Sequence, residues 1–482
     1  MSKVNSRIVL KVLSRNLLII AGAMLSCVGV ALHYHEDVLP FLYTFLIAFT
    51  PGLIFFLISR RTGSDINVSK REAYVTVTLS WLIIAFFGCL PYIISGSIPN
   101  FVNAFFESVS GFTTTGSSIL TDIEALPKSI LFWRSLTHWI GGIGIIVLVI
   151  VVMPTLHLGG YHLFTLESSL QEKIQPKIKS VGLRLLYIYL FLTFAEVIFL
   201  LFGHMPLFDS VCHAFGTVAT GGFSPKNTSI AEYSPYIQYV IMVFMLLAGT
   251  NFVVHYFIVK GKFKRIANND ELKFYLLVVL IVGLLVTISL YFKMHLPLEE
   301  SFRAAFFQVI SIVTCTGFAS ADYLTWPVFA WVLIFFAMFL GGSTGSTAGG
   351  IKMVRHLIVF RNIKRVFRQL LSTNAVIPVK LNKTPLTEET NNSILTFVTV
   401  YLMVFVAGSL TMIALGLDDR TSVSAVATCM AGIGPGLGTV GPVSNFAHLP
   451  EAAKLVLTFL MIVGRLEIYT ILSLFSRSFW TN

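Results

Sequence analysis

The chain has 482 residues, 55% of them hydrophobic and only 12% charged, with 42 phenylalanines and a mean hydropathy of +0.82. Repeated apolar runs approach the roughly 20 residues that a helix needs to cross about 30 Å of hydrocarbon, so the composition excludes a soluble domain and points to a polytopic helical membrane protein. The net charge of +11 would suggest nucleic acid in a soluble protein, but here the placement of the charges along the chain carries the information.

Spans are expected at about 13–33, 40–59, 73–95, 130–154, 184–203, 233–259, 272–293, 325–354, 393–415 and 452–475. The basic N-terminus runs into the first apolar segment with no convincing cleavage site, so the first helix is expected to stay. With the N-terminus inside, Lys and Arg crowd the segments after even-numbered spans, from Arg60–Arg71, Lys173–Arg184 and Lys260–Lys273 to Lys352–Lys383. Only Lys128, Arg134, Lys226, Lys293, Arg303, Arg420 and Lys454 fall outside, and Arg465 falls within a span. The positive-inside rule then places both termini in the cytoplasm and accounts for the net charge without nucleic acid. The five cysteines form no CxxC pair and read as small buried hydrophobes rather than a disulfide framework or zinc site.

After the first two spans, each outward connection is long and half apolar. The four contain PNFVNAFFESVSGFTTTGSS, PLFDSVCHAFGTVATGGFSP, PLEESFRAAFFQVISIVTCTGFAS and LDDRTSVSAVATCMAGIGPGLG. Each opens with Pro or acidic residues suited to a helix start and ends in a Gly/Thr-rich stretch. Aligned without gaps, Gly116, Gly222, Gly317 and Gly434 register, at spacings of 106, 95 and 117 residues. This is an internal fourfold repeat of helix, re-entrant loop and helix. The units are 72–179, 180–268, 269–385 and 386–482, preceded by two extra helices in 1–71.

A helix of about 12 residues spans only about 18 Å, so such a segment enters the membrane without crossing it. The chain must return as non-helical backbone, tolerated at that depth only against protein or a water-filled cavity. Four such strands around one axis would present rings of carbonyl oxygens able to replace the hydration shell of a monovalent cation, with the negative ends of the short helices aimed at it. The candidate filter is Thr113, Thr114, Thr115 and Gly116; Ala219, Thr220, Gly221 and Gly222; Thr314, Cys315, Thr316 and Gly317; and Gly432, Ile433 and Gly434. Taken singly, each loop reads equally well as an ordinary extracellular turn.

On TTTGSS, ATGGFSP, TCTGFAS and GIGPGLGTVGP, the chain resembles the superfamily of bacterial Trk and Ktr membrane subunits and plant HKT proteins, most closely the Trk potassium-uptake subunit. The resemblance covers nearly the whole chain. It implies an all-α integral membrane fold: four covalently linked M1-P-M2 repeats around a pseudo-fourfold, K+ channel-like pore, with two additional N-terminal transmembrane helices. It also implies K+ and Rb+ permeation, a homodimer in the bacterial inner membrane, and a cytosolic ring of nucleotide-binding RCK domains as regulator. No organic cofactor is expected in this chain. The filter differs from a TVGYG sequence in every repeat, which leaves its selectivity open.

Residues 340–350, LGGSTGSTAGG, interrupt the long eighth span. Gly341, Gly342, Gly345, Gly349 and Gly350 with Ser343, Thr344, Ser346 and Thr347 cannot continue a stable helix, since each Gly costs about 1 kcal/mol relative to Ala. The stretch lacks the Gly-Lys-Ser/Thr ending of a Walker A loop. It reads either as a small-residue packing patch or as a loop under the filter that obstructs the pore, and the cavity rule favours the loop. The resemblance implies the same gating loop. Arg465 lies beyond the middle of the last span, where a charge costs roughly 2.5–3.5 kcal/mol, and either snorkels to the interface or faces the pore as an electrostatic barrier. Glu196 and His255 read as satisfied packing residues rather than a proton relay.

Parallel repeats whose loops all enter from one side favour a single pore over an alternating-access symporter coupled to H+ or Na+. No HExxH, nucleophile elbow or cluster of intramembrane acids suggests an enzyme.

Overall fold

The computed structural model describes residues 5–60, 69–147, 175–372, 375 and 377–481. Helices dominate, and the one described sheet is an antiparallel pair, Lys380–Leu381 with Thr384–Pro385, in the link between repeats 3 and 4.

Two helices, Ser6–His33 and Leu39–Ser59, form an N-terminal hairpin packed against the first and second long helices of repeat 1, M1 (from Lys70) and M2 (Lys128–Val147). Between helices in lipid there is little hydrophobic drive, so polar pins and close packing fix the geometry. Ser14 donates to the Gly52 carbonyl at 2.8 Å, and Glu36, just past the first helix, accepts from the backbone N–H groups of Lys128 (2.6 Å) and Ser129 (2.8 Å). That carboxylate caps the start of M2 in repeat 1, where free N–H groups and the helix dipole favour an anion.

Four M1-P-M2 repeats follow. In repeat 1, M1 is Lys70–Gly88 continued by Leu90–Ile94, P is Phe101–Phe112 and M2 is Lys128–Val147. The expected continuation of M2 to 154 and the cation Lys173 lie outside the described residues. In repeat 2, M1 is Gln175–Phe202, starting inside the interval assigned above to repeat 1; P is Leu207–Val218, and M2 is Pro235–Ala248 with Phe252–Val259. Repeat 3 has Asp270–Met294, Leu298–Val313, and an M2 split into Val328–Ala337 and Met353–Leu371. Repeat 4 has Glu388–Ala414, Asp419–Ala431, and Glu451–Arg465 with Ile468–Leu474.

The helix starts follow local chemistry. Ser69 and Glu72 form a reciprocal capping box, Asn100, Asn269, Thr387 and Asp418 accept N–H bonds from their first turns, and Pro206 and Pro297 sit at the N-caps of the second and third P helices.

Two expected spans are corrected. Residues 233–259 and 452–475 are not straight crossings: M2, the inner helix of each repeat, bends by 99° in repeat 2 and by 114° in repeat 4. At the first bend Asn251 accepts from Val253 N–H at 2.9 Å and starts a new helix; at the second, Glu467 takes a left-handed φ of 60°. Hydropathy does not register such breaks, because both halves remain apolar. Among the described residues, six helices pass alone as long, apolar membrane spans, and these two bent pairs pass as pairs. All five cysteines are buried and unpaired.

Candidate ion pathway

The four P helices end alike. A residue one or two positions past the helix end is left-handed: Thr114 (φ 51°), Thr220 (φ 53°), Cys315 (φ 57°) and Gly432 (φ 72°). The following N–H reaches back five positions, from Thr115 to Ser110 O (2.9 Å), Gly221 to Gly216 O (2.8 Å), Thr316 to Ser311 O (2.8 Å) and Ile433 to Thr428 O (3.0 Å). This closure terminates a helix and turns the chain away from its axis. Three of the four left-handed residues carry a side chain, a strain on the order of 1 kcal/mol or more at each. Next come Gly116, Gly222, Gly317 and Gly434, at φ 82°, 78°, 84° and 98°.

These glycines form a closed ring. A methyl on Gly116 would run into the carbonyl oxygen of Gly221, one on Gly222 into that of Thr316, one on Gly317 into that of Ile433, and one on Gly434 would lie 2.9 Å from that of Thr115. Each repeat therefore presses its glycine against the carbonyl preceding the glycine of the next, and the fourth returns to the first. Behind the strands, Thr113 and Thr314 donate to Val109 O and Ile310 O at 2.7 Å, and each shares a 2.8 Å hydrogen bond with Thr115 or Thr316. Thr220 Oγ1 donates to Ala219 O at 2.7 Å. A cavity of about 170 Å³ opens on one side of the ring, and all four glycines line it.

The interrupted helix of repeat 3 lies against the C-terminal ends of the second and fourth P helices. Gly341, Gly345 and Gly350 take φ values of 75°, 78° and 75°, so residues 341–352 leave helical geometry. Ser343 N–H donates to Gly249 O at 2.9 Å, and Gly345 O accepts from Phe252 N–H at 3.1 Å, so the loop sits in the bend of the second inner helix. Met353 N–H bonds Gly342 O at 3.0 Å, and Ser346 Oγ bonds Ser343 O at 2.6 Å. Thr347 Oγ1 donates to Val218 O (3.0 Å), at the end of the second P helix. Gly349 lies so close to Ala431 O, at the end of the fourth, that a Cβ has no room. Lys352 Nζ turns back on Ala348 O.

Arg465 reaches the same loop. Its side chain is buried and donates to Thr347 O at 2.9 Å and to Gly141 O of the first inner helix at 3.3 Å. The guanidinium thus points into the protein, among three repeats. Of the other polar residues singled out in spans, His255 bonds Leu247 O at 2.8 Å across the bend, whereas Glu196 is buried with no hydrogen-bond partner for its carboxylate among the described residues, so the satisfied packing role expected of it does not hold.

Residues 42–481 match the family model of the TrkH cation transport proteins. The Trk system potassium uptake protein TrkH of Salmonella typhimurium is 35% identical, the alignment covering 98% of this chain and 99% of that one. The chain belongs to the TrkH family. TrkG of Escherichia coli is 33% identical over 95% of this chain and 96% of its own. The crystal structure of the potassium transporter TrkH from Vibrio parahaemolyticus superposes with a TM-score of 0.90 at 32% identity, covering 99% of this chain and all of that one. The TrkH-family fold is an all-α membrane architecture of M1-P-M2 repeats, and this chain is a transport protein, not an enzyme.

Several residues that hold this TrkH-family site together escape sequence reasoning. Glu271, in the first turn of the third M1, accepts from Thr344 N–H (2.7 Å) and Val354 N–H (3.2 Å), stapling both ends of the loop. Arg355, after the loop, pairs with Glu467 at 3.0 Å and lies over the Phe397 ring at 3.7 Å. Arg134, counted above as an outside cation, is buried against Glu107 at 2.7 Å. No spacing rule links residues so far apart in the chain; the only available signal was an acid or arginine within an otherwise apolar stretch.

Proposed function

We propose that this chain conducts K+ and Rb+ across the bacterial inner membrane for potassium uptake, through a filter of backbone carbonyls gated by the Gly/Ser/Thr loop of repeat 3. One observation carries the reading: the closed ring in which Gly116, Gly222, Gly317 and Gly434 each meet a carbonyl of the next repeat. Four strands brought that close offer stacked oxygen ligands to a dehydrated monovalent cation, and the P-helix C-termini add negative potential. Glycine is required because a side chain at positive φ would be strained and would displace the neighbouring carbonyl.

Residues 341–350 are the gate in this reading. The loop lies against the ends of the second and fourth P helices, and Arg465 both tethers it and places a positive charge where a cation would leave the filter. The helix Met353–Leu371 that follows carries Arg361, Lys364, Arg365 and Arg368, a basic lever for a cytosolic RCK-type partner that binds nucleotide. The Trk-system names of the relatives support such a complex, and the family resemblance supports a homodimer with both termini cytoplasmic.

The test is uptake of radioactive rubidium into liposomes containing the purified chain, driven by a K+ gradient with no pH or Na+ gradient. Uptake blocked by K+ but weakly by Na+ or Li+ is expected. Uptake appearing only after a proton or sodium gradient is applied would replace the pore with a coupled symporter.

A further inference from the structure

The strands leaving the glycine ring are anchored differently in each repeat. In repeat 3 Ser311 Oγ donates to Phe318 O at 2.7 Å, in repeat 4 Ser424 Oγ accepts from Leu437 N–H at 2.8 Å, and in repeat 2 His213 Nε2 pairs with Ser224 Oγ at 3.0 Å. Repeat 1 uses charge. Glu107, on the first P helix, accepts from Ser118 Oγ (2.9 Å), Ile119 N–H (2.9 Å) and Arg134 Nε (2.7 Å). Arg134, from the first M2, continues into the next repeat: Nη1 donates to Ser224 O at 2.9 Å, and the guanidinium lies 3.6 Å from the centroid of the Phe223 ring. The side chains are 3% and 0% exposed for Arg134 and Glu107.

Ser118 and Ser224 each lie two residues past their ring glycines, and both line the outer cavity with Arg134. One buried ion pair therefore grips the strands of two repeats just outside the ring. Removing either partner leaves the other charge buried without compensation, so the strands must move to resolvate it. A serine hydroxyl, as in repeats 3 and 4, sets no such condition.

We propose that Glu107 and Arg134 are selectivity-setting positioning residues, which fix the strands of repeats 1 and 2 so that the carbonyls at Thr115 and Gly221 hold the spacing that prefers K+ to Na+. The proposal rests on reading the ring as the filter. The arrangement places the stiffest part of the ring between repeats 1 and 2 and leaves repeats 3 and 4 held by neutral hydrogen bonds. A carbonyl ring that can contract favours the smaller ion, so loosening this pair shifts preference towards Na+.

The experiment is rubidium uptake by the full chain in liposomes, competed by K+ or Na+, for wild type, Glu107→Gln, Arg134→Gln and Arg134→Lys, with Gly116→Ser as a control in the ring itself. Each Gln variant should lower the preference for K+ over Na+ by about tenfold, equivalent to about 1.4 kcal/mol. Arg134→Lys keeps the charge but cannot serve Glu107 and Ser224 O with one planar fork, so its preference should fall between Gln and wild type. If the pair variants retain wild-type competition while Gly116→Ser alters it, the pair is structural only and the proposal fails. If Gly116→Ser also leaves competition unchanged, the filter reading itself fails. Should the Gln variants not fold, Arg134→Lys decides: an unchanged preference overturns the proposal, and a reduced one supports it.

Discussion

Arg465 donates a hydrogen bond to the carbonyl oxygen of Thr347 at 2.9 Å, joining the bend of the fourth inner helix to the loop that breaks the third. A hydrogen bond from a charged donor contributes about 1.5–3 kcal/mol, so Arg465→Ala should release the loop, remove the positive charge and raise basal rubidium flux by about tenfold. Arg465→Lys retains the charge but not both carbonyl contacts, and should give a smaller rise. Unchanged flux in Arg465→Ala would remove the residue from the gate.

Deleting residues 345–349 takes away Thr347 and Gly349, the points where the loop meets the second and fourth P helices. Ion leak measured without any cytosolic partner should increase. A folded deletion protein with the same or lower flux would show that the obstruction lies elsewhere.

Gly116 combines φ 82° with a neighbouring carbonyl where its side chain would stand. Gly116→Ser should therefore weaken the K+ over Na+ preference by displacing Gly221 O, read as a change in the competition profile of rubidium uptake. Gly22, which has open space around its Cβ position, provides the contrast: Gly22→Ala should leave the profile unaltered.

Glu467 holds Arg355 with both carboxylate oxygens at 3.0 Å, linking the second bend to the helix that follows the loop. Breaking a fully buried pair costs about 3–5 kcal/mol, and with Glu467 17% exposed the cost here should fall below that. Glu467→Gln should lower the thermal unfolding midpoint in detergent, and Glu467→Gln with Arg355→Gln should be less destabilised than the sum of the single variants. Strict additivity would mean that the pair does not couple.

The loops that follow the glycine ring in repeats 1 and 2 are joined at Asp122, Glu124, Lys226 and Asn227. Asn227 donates to Asp122 at 2.9 Å and its backbone N–H to Glu124 at 3.1 Å, while Lys226 pairs with Glu124 at 3.1 Å. Hydrogen bonds from Asn227, joined at Glu124 by Lys226, hold both carboxyls below their ordinary range. A depressed folded pKa stabilises above the unfolded value, near 4, and this contribution is lost only as pH falls through the lower folded value. The thermal midpoint of wild type relative to Asn227→Ala should thus be constant from about pH 8 to 5 and converge on the variant below about pH 4. Convergence already near pH 6 would point to a histidine instead.

The sequence alone determined the membrane class, the four repeats and the register of Gly116, Gly222, Gly317 and Gly434, because hydropathy and glycine requirements are local and survive in one dimension. It also located the break at 340–350, since five glycines among eleven residues are incompatible with helix. Hydropathy left open where the inner helices bend, because the halves on either side of Gly249 and Glu467 are both apolar; the structure shows the bends, with Asn251 starting a new helix at the first and Glu467 at positive φ at the second. Tertiary structure also decided the charge pairs. Glu107 with Arg134 and Glu271 with the loop backbone join different helices folded together within one repeat, and Arg355 with Glu467 joins repeats 3 and 4; no local pattern encodes which helices meet.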